Sequence, residues 1–110
     1  MKTIKWNLKA REFVRSLDTE TKKEIGSLLM LLQSGEILKA PQSKPLKIIH
    51  SQAFELRIKD ARGIYRVIYV LAIKDQILIP HAFTKKTQKT AKKDLLVSIQ
   101  RLKELLDEEK

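Results

Sequence analysis

The sequence predicts an α+β domain in which an N-terminal helical hairpin packs on a small, mostly antiparallel sheet of four or five strands, with a helix at the C-terminus. Hydrophobic residues recur at helical spacing towards both ends of the chain and alternate with polar residues in its middle. The length of 110 residues suffices for one hydrophobic core and is too short for two. We therefore expect residues 1–110 to form a single domain.

A short strand and two helices are predicted in the first third of the chain. The segment Thr3–Trp6 alternates polar and apolar residues, and Asn7 after it is a suitable N-cap for the first helix. Asp18 and Thr21 are start signals for the second helix, which Gly35 ends. The apolar faces of the two helices are formed by Ala10, Phe13, Val14 and Leu17, and by Ile25, Leu28, Leu29 and Leu32.

A loop and the first strand of a hairpin follow. Residues 36–46 contain two X-Pro pairs, which disfavour regular structure, so this segment is expected to be a surface loop. From Phe54 to Ile58 apolar and charged residues alternate, as in a strand with one buried face. Asp60 and Gly63 occupy the first and fourth positions of a predicted tight turn.

Two further strands and the closing helix complete the prediction. Residues 64–73 are rich in β-branched and aromatic side chains, as is typical of a central strand, and residues 76–83 form another. Pro80 lacks an N–H group, so the latter strand is expected at an edge or with a local irregularity. Residues 91–106 predict an amphipathic helix with Thr90 as its candidate cap. Its apolar face would consist of Leu95, Ile99, Leu102 and Leu106.

Composition excludes several classes of protein. Hydrophobic residues make up 43% and charged residues 33% of the chain, which is too apolar for a disordered protein and too charged for a membrane protein. The N-terminus lacks the continuous apolar core of a secretory signal. With no cysteine and two histidines, neither a metal site nor a cofactor is expected. We expect a cytoplasmic protein that contacts no membrane.

The net charge of +10 is concentrated in the middle of the chain. Residues 39–93 carry thirteen Lys and Arg against three Asp and Glu, whereas residues 1–38 have a net charge of +2 and residues 94–110 of −2. A localised excess of this sign is typical of a surface that binds a polyanion. The alternative is an ordinary solvated lysine-rich surface.

Arginines of two neighbouring strands form the first candidate site. Arg57 and Lys59 lie on the polar side of one strand, and Arg66 should return beside Arg57 within one or two residues of register. Phosphate oxygens match the planar fork of Arg and would relieve the repulsion between two guanidinium groups. Alternatively, Glu55 and Asp60 pair with the arginines in an ordinary surface network.

Lysines between the last strand and the last helix form the second candidate site. Five of the nine residues 85–93 are lysines, and their ammonium groups adjoin the free N–H groups of a helix start, which also favour phosphate. Phe83 is expected in the core. His81 has the same parity as Ile77, Ile79 and Phe83, so it is expected to be buried rather than catalytic. The lysines are Lys85, Lys86, Lys89, Lys92 and Lys93.

The usual templates of other enzymes are missing from the sequence. It contains no glycine-rich phosphate loop, no supported Ser-His-Asp pattern and no metal-ligand spacing. Any catalysis must therefore use basic side chains and a substrate that carries its own nucleophile. RNA carries one in its 2′-hydroxyl.

Three segments follow the two predicted helices in the order Phe54–Arg57, Tyr65–Tyr69 and His81–Thr90. Together they resemble the signature of the RelE/HigB toxin superfamily, specifically its phage-derived HigB-like branch. The resemblance covers nearly the whole chain and implies a RelE-like fold. It also implies a toxin that enters the ribosomal A site and cleaves mRNA without a metal. Its partner would be an antitoxin, typically a helix-turn-helix protein, encoded by the adjacent gene.

The resemblance implies roles for individual residues. Arg57, Arg66, Lys85 and Lys86 would hold the scissile phosphate and stabilise the charge that develops on it. Lys59 is a candidate general base, activated by the neighbouring cations. Attack by the 2′-hydroxyl would leave a 2′,3′-cyclic phosphate and a 5′-hydroxyl. Further RNA contacts are expected from Lys89, Lys92, Lys93 and Arg62.

The sequence departs from the family pattern near its end. Some members use a tyrosine or histidine of the C-terminal segment in catalysis, and residues after Thr90 include neither. Tyr65 and Tyr69 share a strand face with Val67 and are expected in the core, so the general acid and base stay open. We expect replacement of Arg57, Arg66 or Lys85 by alanine to leave the fold intact, as none is predicted to make a core contact.

Two alternative functions remain at this point. A ParE-type toxin shares the superfamily fold but inhibits DNA gyrase, and its relatives tend not to keep the full set of basic residues. A non-catalytic RNA-binding module would explain the charge distribution equally well.

Overall fold

The computed structural model describes residues 1–86 and 89–108, and it has the predicted α+β architecture. The elements among these residues are β1 (Thr3–Trp6), α1 (Leu8–Arg15), α2 (Thr19–Gln33), β2 (Ser43–Pro45), β3 (Ala53–Asp60), β4 (Gly63–Val70), β5 (Gln76–Thr84) and α3 (Lys92–Asp107). The five strands form one sheet of order β1-β5-β4-β3-β2, in which β1 and β5 are parallel and the other neighbours antiparallel. None of the described helices is long and apolar enough to cross a membrane.

The N-terminal helical hairpin begins at the predicted caps. The side chain of Asn7 accepts a hydrogen bond from the N–H of Ala10, and that of Asp18 accepts one from Thr21 at 2.8 Å. These bonds satisfy N–H groups that have no partner within the helix. Gly35, just after α2, has a φ of 93°, a left-handed conformation that favours glycine.

The prediction that residues 36–46 lack regular structure is wrong in part. Ser43–Pro45 forms the edge strand β2, which pairs with β3 opposite Phe54, Glu55 and Leu56. An edge position tolerates Pro45 because one side of that strand needs no ladder hydrogen bonds. The Ser43 hydroxyl lies 2.6 Å from the Tyr69 hydroxyl in the core, which fixes this strand to the sheet.

A β-bulge reverses the predicted parity of β5. Val70 pairs with Leu78 but Ile68 pairs with His81, so β5 advances three residues where β4 advances two. The irregularity expected at Pro80 is therefore present, although β5 lies inside the sheet. As a result His81 is buried as expected, yet on the face opposite Ile77 and not beside it.

The last helix differs from its prediction in its cap and its face. It begins at Lys92 after Ala91, which makes no side-chain cap, so Thr90 is not the cap. Ile99 is 40% exposed, because Ser98 and Leu105 turn towards the sheet instead.

The sheet separates two hydrophobic cores. Helices α1 and α2 cover one face with Leu56, Val67 and Tyr69, and α3 covers part of the other with Ile68 and Phe83. The core positions predicted for both tyrosines are confirmed. The α3 face of the sheet also carries Arg57 and Arg66, which line surface clefts.

Candidate nucleic-acid interface

Arg57 and Arg66 are direct neighbours across the β3–β4 hairpin. The structure pairs their Cα atoms in register, as the sequence predicted to within one or two residues. The turn that sets this register is held by Asp60, whose side chain accepts hydrogen bonds from the N–H groups of Arg62 and Gly63. The hairpin therefore fixes two guanidinium groups side by side.

Glu55 is the counter-ion shared by the two arginines. One of its oxygens, Oε1, lies 3.1 Å from Nε of Arg66 and 3.8 Å from Nε of Arg57. Both Glu55 and Arg66 are almost fully buried, whereas a third of the Arg57 side chain is exposed. Burial lowers the pKa of Arg66, and the Glu55 carboxylate opposes that shift.

The alternative surface network is thus only partly present. Glu55 pairs with both arginines, but Asp60 instead accepts a 2.7 Å hydrogen bond from the Thr21 hydroxyl. One carboxylate facing two guanidinium groups leaves a positive charge in surplus. Arg66 is 1% exposed and paired with buried Glu55, so the premise that it makes no core contact is wrong, and we now expect its replacement by alanine to destabilise the fold.

Thr90 joins the lysine-rich segment to this ion pair. Its hydroxyl donates to Oε2 of Glu55 at 2.6 Å and accepts from Nη1 of Arg66 at 2.9 Å. A residue predicted as a helix cap therefore belongs to the site. Nothing in the spacing of the sequence indicated this contact, since 35 residues separate it from Glu55.

Lys85 lies beside the arginines at the end of β5. Its N–H donates to the carbonyl of Ile64 at 2.7 Å, which extends the pairing of β4 and β5 to this position. Burial is the main cause that lowers the pKa of Lys85, and the positive charges of Arg66 and Arg57 lower it further. The Lys85 ammonium is thus a stronger acid than an ordinary lysine.

Three adjoining clefts share these cations. The central cleft has a volume of about 310 Å³ and is lined by Arg66, Lys85, Lys86, Lys89 and Lys93. A second cleft of about 390 Å³ shares Lys85 and adds Arg57 and Lys59, and a third of about 300 Å³ shares Arg66 and Lys89 and adds Lys44. We call this continuous surface the cationic cleft. It brings together seven of the nine residues predicted to bind RNA: Arg57, Lys59, Arg66, Lys85, Lys86, Lys89 and Lys93.

Arg62 and Lys92 are the two predicted residues that do not line the cleft. Arg62 lies at the tip of the hairpin, where its Nη2 is 2.7 Å from Oδ2 of Asp18. A backbone hydrogen bond from Thr21 and the Arg62 side chain lower the pKa of Asp18 to about 2. Lys92 is the exposed first residue of α3. Thr87 and Gln88 of the family motif lie outside the described residues.

A chain of hydrogen bonds through Asp94, His81 and Arg101 was not predicted from the sequence. Nε2 of His81 lies 2.8 Å from Oδ1 of Asp94, and Nη1 of Arg101 lies 3.1 Å from Nδ1 of His81. Guanidinium is only a donor, so Nδ1 accepts from Arg101 and Nε2 donates to Asp94. This is the neutral form of His81, and burial lowers its pKa accordingly. In the described part of the chain no cluster of three or more side chains could hold a metal ion.

The chain is similar to a family of phage-derived proteins. The sequence profile described as "Phage derived protein Gp49-like (DUF891)" matches residues 12–103, which is most of the chain. No curated protein matches its sequence significantly.

Two solved structures of RelE from E. coli share the fold. A double arginine-to-alanine mutant of that toxin in the free state has a TM-score of 0.65 and 14% identity, over 92% of this chain and 97% of the other. The isolated toxin has a TM-score of 0.56 and 13% identity, over 96% and 99%. The predicted RelE-like arrangement of helices and strands is therefore confirmed.

Proposed function

The chain belongs to the phage-derived Gp49-like family, and from this premise we propose that it is the toxin of a type II toxin–antitoxin pair. Its activity would be cleavage of mRNA in the A site of the ribosome. The fold shared with E. coli RelE supports a toxin, and the cationic cleft supports an RNA substrate.

The observation that carries this proposal is the Arg57–Arg66 pair, whose two guanidinium groups share the carboxylate of Glu55. Lys85 adds another positive charge at the same place, so the positive charges of the cleft exceed its negative ones. An RNA phosphate that enters the cleft would balance this surplus without removing Glu55. Arg and Lys held in place before the substrate arrives stabilise a developing negative charge at little reorganisation cost.

The chemistry would follow from the position of the phosphate. The 2′-oxygen attacks phosphorus and loses its proton as the P–O5′ bond breaks, which gives a 2′,3′-cyclic phosphate and a 5′-hydroxyl. Arg57 and Arg66 stabilise the charge on the non-bridging oxygens. Lys85, with its lowered pKa, is suited to give a proton to the departing 5′-oxygen. Lys59, at the outer side of the cleft, remains the candidate base.

The partner in this proposal is a helix-turn-helix antitoxin encoded by the adjacent gene. An antitoxin is required because a free ribonuclease of this kind would stop growth of its own cell. The surplus of positive charge on the cationic cleft supports a partner segment with acidic side chains.

Inducible expression followed by mapping of mRNA 5′ ends tests this function. We expect new ends with 5′-hydroxyl groups within translated frames for the wild type, and none for Arg57→Ala at equal protein level. Loss of DNA supercoiling without new mRNA ends would indicate a gyrase-directed toxin instead. Ribosome or RNA binding without either effect would indicate a non-catalytic module.

A further inference from the structure

Asp94 is the one acidic side chain among the described residues that line the central part of the cationic cleft. It lies in the first turn of α3, opposite the end of β5. Its side chain is 16% exposed, so it contributes a small, defined patch of negative charge to the wall. A carboxylate there weakens phosphate binding, and its presence needs an explanation.

The two oxygens of Asp94 differ in their surroundings. Oδ1 accepts from Nε2 of His81, which Arg101 holds from behind through Nδ1. No described residue donates a hydrogen bond to Oδ2. The hydrogen bonds from Arg101 through His81 therefore hold the Asp94 carboxylate in place and leave its Oδ2 as an acceptor for a ligand in the cleft.

The same part of the cleft has an apolar wall. Phe13 of α1 lines it, and so do Ala82, Phe83 and Ala91. Phe13 is only partly buried, and its ring packs edge-on against Tyr65 at a centroid distance of 6.3 Å. Exposed aromatic rings beside a cationic groove are the usual platforms for unstacked RNA bases.

Resting on the proposed RNA substrate, we propose that this part of the cleft binds one base next to the scissile phosphate and prefers a base with an exocyclic amino group. Phe13 contacts the face of the base, and Oδ2 of Asp94 accepts a hydrogen bond from the amino group. Cytosine offers such a donor at N4, where uracil has a carbonyl oxygen that a carboxylate repels. Arg66 and Lys85 hold the adjoining phosphate.

Equilibrium binding of short oligocytidylate and oligouridylate to the purified protein tests this site. A hydrogen bond to a charged group predicts roughly tenfold tighter binding of the cytidylate. Asp94→Asn keeps an oxygen that can accept from His81 but presents an amide to the ligand, so the preference should disappear. Glu104→Gln also removes one negative charge from α3, but outside the cationic cleft, so this variant should keep the preference for cytidylate.

The aromatic wall has its own matched pair of variants. Phe13→Leu should weaken binding of both oligonucleotides several-fold, since an aliphatic side chain fills the core position without a π face. Phe13→Tyr should retain the affinity. A purely structural role of Phe13 would show instead as equal losses in both variants.

The outcomes separate this inference from the proposed function. Equal binding of the two oligonucleotides by the wild type, binding of neither, or an unchanged preference in Asp94→Asn would overturn it. The assay contains no ribosome and requires no cleavage. A base preference without mRNA cuts in cells would therefore refute only the cleavage activity, and cuts without the preference would refute only the base site.

Discussion

Thr90 donates a 2.6 Å hydrogen bond to Glu55, and so connects the start of the last helix to the middle of the sheet. The same hydroxyl accepts from Arg66, which places it between the two charges of a buried ion pair. We therefore expect the Thr90 hydroxyl to fix the positions of Glu55 and Arg66 relative to the start of α3.

Replacing Thr90 with valine should reduce RNA cleavage about tenfold, because valine has nearly the same shape but removes one hydrogen bond each from buried Glu55 and Arg66. Thr90→Ser keeps the hydroxyl and should retain most of the activity. The rate of mRNA cleavage on purified ribosomes is the measurement, with urea unfolding as a check on stability. Similar rates in the valine and serine variants would contradict a role for the hydroxyl.

Arg57→Ala and Lys85→Ala should each reduce cleavage by about a hundredfold or more, because each removes a donor held ready for the developing charge. Both side chains are partly exposed, so the fold should persist. Lys47→Ala, an exposed lysine outside the clefts, is the charge-matched control. Growth inhibition at matched protein levels gives the comparison, and full toxicity of both variants would exclude this site.

The sequence was sufficient to predict the elements whose signals are local. Alternation in β3, the turn at Asp60 and the caps Asn7 and Asp18 all depend on residues close together in the chain. The pairing of Arg57 with Arg66 followed from the same turn, because a tight hairpin determines its own register. This is why the centre of the site could be predicted.

Features that depend on distant residues could not be predicted in the same way. Strand β2 forms because Ser43 meets Leu56 of β3 and Tyr69 of β4, neither of which its own sequence indicates. The bulge before His81 moves that residue to the other face, where it reaches Asp94. A one-residue shift in a strand moves every later side chain to the opposite face of the sheet, so the alternation of residues alone gave the wrong face for His81.

Binding of RNA should weaken steeply as salt concentration rises. Several Lys and Arg of the cationic cleft would displace counterions from the RNA together, and the logarithm of the affinity then falls linearly with the logarithm of salt. Lys89→Ala should reduce the slope by somewhat less than one unit for a single strand. Titrations at several salt concentrations give the slope, and a nearly flat dependence would mean that the lysines are ordinary solvated surface.

Stability should fall as pH decreases below the ordinary histidine pKa of 6.5. Burial lowers the pKa of His81 in the folded state, so the unfolded chain binds a proton that the folded chain does not. Protonation would also place two donors, His81 and Arg101, against each other. The free energy of unfolding, measured with urea between about pH 7.5 and about pH 5.5, should fall less in His81→Gln than in the wild type. His50→Gln is the control for loss of an imidazole. If the stability of His81→Gln depends on pH as steeply as that of the wild type, protonation of His81 is not the cause of the loss.

The antitoxin is expected to neutralise the protein by covering the cationic cleft, displacing α3 or blocking a surface that must fit the ribosome. The cleft carries a surplus of positive charge, while α3 ends at acidic Asp107 and is followed by Glu108, and Glu109 lies outside the described residues. An acidic segment of the partner should therefore associate rapidly with the cleft, at a rate that falls with salt. Lys85→Ala should slow this association, whereas Lys103→Ala, on the exposed side of α3, should not.

Co-expression with the adjacent open reading frame gives the first measurement, in which the partner should co-purify with the protein and restore growth. If it does neither, the toxin–antitoxin assignment loses its main support and a non-catalytic RNA-binding protein becomes the better explanation.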